Sequence, residues 1–181
     1  MKILFLDIDG VLNDLDYIHN VYPEKCIFSK RNNINKCLNY KMYLEYIKFN
    51  FNPENLKVLK KICDMIDCKI VLISSFRCKE VIDALVDLGF PVIGMTNYIN
   101  QNRYLEIIDY LENNDVDSFV ILDDEKEYLK GTTLENNLVQ TSLYDGGLKD
   151  FHIEKVINII NQRSRFWKSM IYLIQNLKMI I

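Results

Sequence analysis

The stretch K-I-L-F-L-D-I-D-G-V-L-N, residues 2–13, decides the fold. Ile3, Leu4, Phe5 and Leu6 form a continuous apolar run, the pattern of a parallel strand covered on both faces by helices. Asp7 and Asp9 fall where that strand emerges, and ligands of open α/β sheets bind outside the carboxyl ends of the strands. Residues i and i+2 of an extended segment point to one side, so the two carboxylates are expected to share a pocket. Gly10 permits a tight turn directly after them. Two like charges beside a core are costly unless a positive group stands between them, and a divalent metal is the natural candidate.

Working outward, the chain repeats this theme. Asn52 can cap a helix with Pro53 in its first turn, and Leu56, Leu59, Cys63 and Ile66 follow at helical spacing. KIVLIS (residues 69–74) reads as a second buried strand ending in Ser74 and Ser75. A helix with Val81, Ile82, Leu85 and Leu88 follows, with Gly89 just past its end. PVIGMT (91–96) is a third strand, and a helix over about residues 102–113 turns Leu105, Ile108 and Leu111 inward. SFVILDD (118–124) is a fourth buried strand, again ending in carboxylates. LVQT (138–141) is a short fifth strand, DGGL (145–148) a turn, and residues 151–162 a helix with Val156, Ile157 and Ile160 on one face. Such alternation predicts an α/β fold, a parallel sheet flanked by helices.

Two segments depart from this rhythm. Residues 14–52 hold Lys25, Lys30, Arg31, Lys36, Lys41 and Lys48, with Tyr40, Tyr43 and Tyr46 among the later ones. They read either as a solvated excursion or as a small cap whose charge attracts a phosphorylated substrate or a nucleic-acid end. Within them, MYLEYIKF (42–49) suits a short helix or a strand. Residues 165–181 read as an amphipathic helix carrying Phe166, Met170, Leu173, Leu177 and Ile180, packed on the domain or on a second copy as a homo-oligomer contact.

At 181 residues with 49% hydrophobic and 26% charged side chains, the chain fits one globular core over residues 1–164, with the insertion and the tail appended. A net charge of −3 argues against a surface uniformly basic for nucleic acid. Five cysteines without a C-x-x-C pair, and no signal sequence, predict reduced thiols in a soluble cytoplasmic protein. His19 and His152 lie far from any clustered cysteines, which argues against zinc. No stretch reaches the roughly 18 apolar residues of a membrane span.

Three buried strands thus end in polar groups on one sheet edge: Asp7 and Asp9, then Ser74, then Asp123 and Asp124. With these residues in hand, D-I-D-G-V resembles the D-x-D-G-[TV] signature of the haloacid dehalogenase superfamily of phosphohydrolases, whose core is a three-layer α/β/α Rossmann-like sheet. The later order fits as well: a strand ending in Ser, a basic residue opening a helix, then a strand ending in acids. More narrowly, IVLISSFR, Arg103 ahead of LEII, VILDD and GLKDFHIEKVINII resemble the haloacid dehalogenase-like domain of "Swiss Army Knife" RNA repair proteins. Phe76 stands where that group usually has Trp, and Arg103 where the superfamily often has Lys.

The resemblance implies a division of labour. Asp7 is the nucleophile and forms an aspartyl-phosphate, while Asp9 is the general acid and then the general base. Mg²⁺ is held by Asp7, the backbone carbonyl of Asp9 and Asp123, with Asp124 reached through water. Ser74 binds a phosphoryl oxygen and Arg103 neutralises transition-state charge, with Ser75 and Arg77 as further phosphate contacts. An acid at position 9 favours phosphate transfer to water over dehalogenation. The expected substrate is a small phosphorylated metabolite or nucleotide, the alternative a phosphorylated end of RNA or DNA. A non-catalytic phosphate-binding or interaction module is the reading from another class, and a complete nucleophile set argues against it.

Overall fold

A computed structural model describes residues 1–21 and 40–162. The chain begins with β1 (Lys2–Leu6) and α1 (Leu15–Val21), and resumes with α2 (Tyr40–Lys48) and α3 (Pro53–Ile66). Then come β2 (Lys69–Leu72), α4 (Lys79–Asp87), β3 (Val92–Met95), α5 (Arg103–Asn113), β4 (Ser118–Asp123), β5 (Leu138–Gln140) and α6 (Phe151–Gln162). The strands form one parallel sheet in the order β3-β2-β1-β4-β5. The predicted α/β class and all five strands are present. The tail at 165–181 and most of the basic cluster lie outside the described residues.

Side chains of β1 alternate between two separate cores. Leu4 and Leu6 face α3, α4 and α6, packing with Leu59, Ile62, Leu85 and Val156. Ile3 and Phe5 face α5, packing with Ile107, Ile108 and Leu111. Phe5 meets Phe119 and Tyr110 edge-on, with ring centroids 5.8 and 5.5 Å apart. Because β1 is buried on both faces, each side chain contributes about 1.5–3 kcal/mol of hydrophobic stabilisation, and a continuous apolar run is the only pattern that suits it.

Helix ends follow local chemistry. The Asn52 side chain accepts a hydrogen bond from the Glu54 amide at 3.0 Å, with Pro53 in the first turn. MYLEYIKF resolves as helix, since most of it lies in α2, whose Ile47 enters the core and whose Tyr40 and Lys48 pair with Asp83 and Asp87 of α4. Cys63, Cys68 and Cys78 are free thiols. Among the described residues, no helix is long and apolar enough to cross a membrane.

Two helix faces differ from expectation. Leu105 is 42% exposed, while Arg103 and Glu106 are buried with Ile107, Ile108 and Leu111. The helix is rotated so that its polar i, i+3 pair reaches the sheet edge, which moves Leu105 to the outside. Leu88 lies beyond the end of α4 and is likewise exposed, so Val81, Ala84 and Leu85 form the inward face.

The chain order runs outward from β1 to β2 and β3, then returns to place β4 on the other side of β1. That reversal opens a crevice at the carboxyl ends of β1 and β4, the position where doubly wound sheets bind ligands.

Candidate active site

Asp7 and Asp123 occupy that crevice. Leu6 pairs with Leu122 in the β1–β4 register, and the Asp7 amide donates to the Leu122 carbonyl at 3.0 Å, so the two acids emerge side by side. Both are buried, and Asp124 beside them is half-buried. Carboxylate oxygens of Asp7, Asp123 and Asp124 all lie within 4.8 Å of one another.

Burial and mutual repulsion disturb all three. Desolvation, only partly offset by Arg103, pushes the Asp7 carboxyl above its ordinary range. The same burial, with the Asp7 charge added, raises Asp123 to about 7 and Asp124 to about 6. Arg103, buried at the start of α5, donates from Nη1 to Asp123 Oδ2 at 2.8 Å and stands 3.8 Å from Asp7 Oδ2. Its guanidinium lies 5.3 Å from the centre of the Tyr128 ring. One guanidinium against three carboxylates leaves a negative excess in a poorly solvated crevice. The residues therefore fit a divalent cation held by a few protein oxygens.

Asp9 is placed differently from Asp7. The backbone leaves the strand after Leu6 and turns at Gly10, so the two side chains do not share one buried pocket: Asp9 is exposed at the mouth. It still stands close enough for its charge to raise Asp7. Asn13 holds this turn, its amide donating to Asp9 Oδ1 at 2.9 Å while its own Oδ1 accepts from the Gly10 amide at 3.0 Å. Gly10 has φ +68°, and a Cβ there would overlap the Asp124 carboxylate. Only glycine serves at this position.

Ser74 is fully buried, and its hydroxyl hydrogen-bonds the Asp7 carboxylate while accepting from the Phe76 amide at 3.1 Å. Ser75, next in the chain, is exposed. Arg77 commits its guanidinium to backbone carbonyls and to Glu106. It donates to the carbonyls of Ser74 at 2.7 Å and Thr96 at 3.1 Å, and its Nη2 pairs with Glu106 Oε1 at 2.9 Å. Glu106 also accepts from the Ile99 amide at 3.1 Å, so this buried ion pair ties the loops after β2 and β3 to α5. The sequence reading had no role for Glu106. Its signal was the R-x-x-E spacing with Arg103, which puts both residues on one helix face.

A buried carboxylate beside two further acids, a serine hydroxyl hydrogen-bonded to it and an arginine facing the cluster form a site that can bind and polarise a phosphoryl group. Comparison with known proteins gives a matching result. No curated protein and no solved structure matches the chain. A family model does, over residues 3–153, which cover every element from β1 to the start of α6. The chain belongs to the family described as the HAD domain in Swiss Army Knife RNA repair proteins.

Proposed function

We propose that the chain is a Mg²⁺-dependent phosphomonoesterase that works through an aspartyl-phosphate. The observation that carries this reading is the buried Asp7 carboxylate beside Asp123 and Asp124, with Arg103 facing two of the three. These carboxylates and the Asp9 backbone carbonyl would hold Mg²⁺, which would offset the charge of the incoming phosphate.

In the first step an oxygen of Asp7 attacks phosphorus. The bond from phosphorus to the leaving oxygen breaks, and that oxygen takes a proton from Asp9. In the second step Asp9, now a carboxylate, removes a proton from water. The water oxygen bonds to phosphorus, the bond to Asp7 breaks, and both aspartates return to their starting state. When phosphate binds, the Ser74 hydroxyl turns its one hydrogen bond from the Asp7 carboxylate to a phosphoryl oxygen, and Arg103 stabilises the charge that builds up there. The exposed position of Asp9 suits a group that exchanges protons with a leaving group and then with water. Ser75 stands at the rim as a further phosphate contact, while Arg77 positions the Ser74 loop from behind.

The test is phosphate release from a broad panel of phosphomonoesters, with and without Mg²⁺, comparing the intact protein with Asp7→Asn. Metal-dependent release that disappears in the variant is the expected result. Variant activity near the parent level overturns the mechanism.

A second reading makes the substrate a phosphorylated end of RNA or DNA. The family's association with RNA repair favours it, together with the lysines of the insertion. Strong competition by oligonucleotides in the same assay supports this reading, and absence of turnover on 3′- and 5′-phosphorylated strands opposes it.

A further inference from the structure

Beyond Asp124 the carboxyl edge of the sheet opens into a groove of about 510 Å³ that runs from the carboxylate cluster to the first turns of α6. Its floor is set by β5: the Thr141 amide donates to the Asp123 carbonyl at 3.0 Å, one peptide from the site. Thr141 is buried beneath this floor, 4% exposed. Gln140 spends its amide nitrogen on the Asp124 carbonyl at 3.1 Å, which leaves its side-chain oxygen as an acceptor. Two aromatic rings flank the opening, Tyr144 at 77% and Phe151 at 63% exposed.

The wall that carries Tyr144 is rigidly joined to the catalytic segment. The Leu15 amide donates to the Leu143 carbonyl at 2.9 Å, and the Leu148 amide to the Val11 carbonyl at 3.0 Å. Gly147, at φ +66°, lets this loop approach Val11 and Asn55 where a side chain would overlap them. The groove is therefore held against the residues that directly follow Asp9.

Charge decides what the groove can take. Asp124, Glu125 and Asp145 line it against Lys155, so it is a poor track for a phosphodiester backbone. Exposed aromatic faces beside an amide oxygen suit a nucleobase. We propose that this groove is a nucleoside subsite: the base stacks on Tyr144 and Phe151, the Gln140 side-chain oxygen accepts from the base edge or ribose, and the phosphate lies at Asp7. The substrate class is then a nucleoside monophosphate, free or as the last residue of a strand that leaves the groove after one nucleoside. This inference rests on the phosphatase reading for the placement of the phosphate.

The experiment has a kinetic and a binding arm. In the first, kcat/KM is measured for adenosine 5′-monophosphate and for glycerol phosphate with the intact chain, Tyr144→Ala and Phe151→Ala. Loss of one stacking partner lowers the ratio of nucleotide to glycerol phosphate by about tenfold, through KM. An unchanged ratio overturns the subsite. In the second arm, adenosine 5′-monophosphate and inorganic phosphate are titrated into Asp7→Asn by calorimetry, with and without Tyr144→Ala. A nucleotide affinity reduced about tenfold by the tyrosine change upholds the subsite, and absent or unaffected nucleotide binding overturns it. This arm holds even when no substrate is turned over, a result that would remove the phosphatase reading alone. Adding a 5′-phosphorylated oligonucleotide distinguishes the sources: affinity equal to the mononucleotide identifies the free nucleotide, and tighter binding that keeps the Tyr144 dependence identifies a strand end.

Discussion

Arg103 donates from Nη1 to Asp123 Oδ2 at 2.8 Å, and this contact joins the start of α5 to the end of β4 inside the crevice. Both side chains are buried. Removing the arginine leaves Asp123 without its cation, so Arg103→Ala is expected to cost about 3–5 kcal/mol of stability at neutral pH, read by urea denaturation. The same variant should lower kcat by about 10²-fold, because one preorganised charge facing the phosphoryl oxygens is gone. Arg103→Lys keeps the charge but not the planar fork, and should recover most of the stability. Equal stability of the alanine and lysine variants would refute this account.

Asp7→Asn separates chemistry from folding. The amide is nearly isosteric with the carboxylate but is a poor nucleophile, so turnover should fall at least about 10³-fold. Since burial already disfavours the Asp7 charge, the metal-free variant should melt no lower than the parent. Thermal melts in a chelator check the second point.

Gly10 meets two constraints at once, a left-handed backbone at φ +68° and the Asp124 carboxylate where a Cβ would stand. Gly10→Ala should destabilise by about 1–3 kcal/mol and displace Asp124 from the cluster. Calorimetric titration should show Mg²⁺ affinity reduced about tenfold or more, in line with other changes that disturb ligand placement. Unchanged metal affinity would show that Asp124 is not held in place by this contact.

Stability should depend on pH in a direction set by the carboxylates. Asp123 is raised from 3.8 to about 7 and Asp124 to about 6, so the folded state binds these protons more tightly than the unfolded state. The metal-free protein therefore loses stability as pH rises from about 4 to about 7. Buried His152, whose pKa is lowered, acts the other way and loses stability below 6.5. Comparing the parent with Asp123→Asn in a chelator isolates the carboxylate contribution, and the variant should show the flatter decline. Mg²⁺ at about 100 times its Kd should restore about 2.7 kcal/mol, more fully at pH 8 than at pH 5. A parent and variant with identical pH dependence would contradict this assignment.

Arg77 and Glu106 form a buried ion pair away from the carboxylates, 2.9 Å apart. Arg77→Ala should cost about 3–5 kcal/mol, since Glu106 would stay buried and unpaired. The double change Arg77→Met with Glu106→Leu should recover much of that stability. It should not recover activity, because the hydrogen bond from Arg77 to the Ser74 carbonyl is lost. Full recovery of kcat in the double variant would show that Arg77 does not position Ser74.

Much of this site was legible in the chain. Short continuous apolar runs between turn signals read as strands buried on both faces, and parallel strands end on one edge, so Asp7, Ser74 and Asp123 could be assigned to one sheet edge from the chain alone. Asn52-Pro53 announced a helix start for reasons confined to neighbouring backbone atoms, and Arg103 opens α5 as its position ahead of an apolar run implied. Such features depend on contacts within a few residues or on a two-residue period, and the amino-acid order records both.

What the tertiary structure alone decided depends on pairing between distant segments. The return of β4 to the side of β1 puts Asp123 beside Asp7, and local periodicity carries no information about which strands become neighbours. The roll of α5 is set by what it must cover: with Arg103 and Glu106 drawn to the sheet edge, Leu105 is left outside although its spacing read as inward. Asp9 parts from Asp7 because the extended backbone stops at Leu6, a boundary fixed by the β1–β4 ladder and the turn at Gly10. The sequence by itself determined that carboxylates and a serine gather at one sheet edge; only the packed chain decided which acid is buried, which faces water, and that Arg103 meets Asp7 and Asp123.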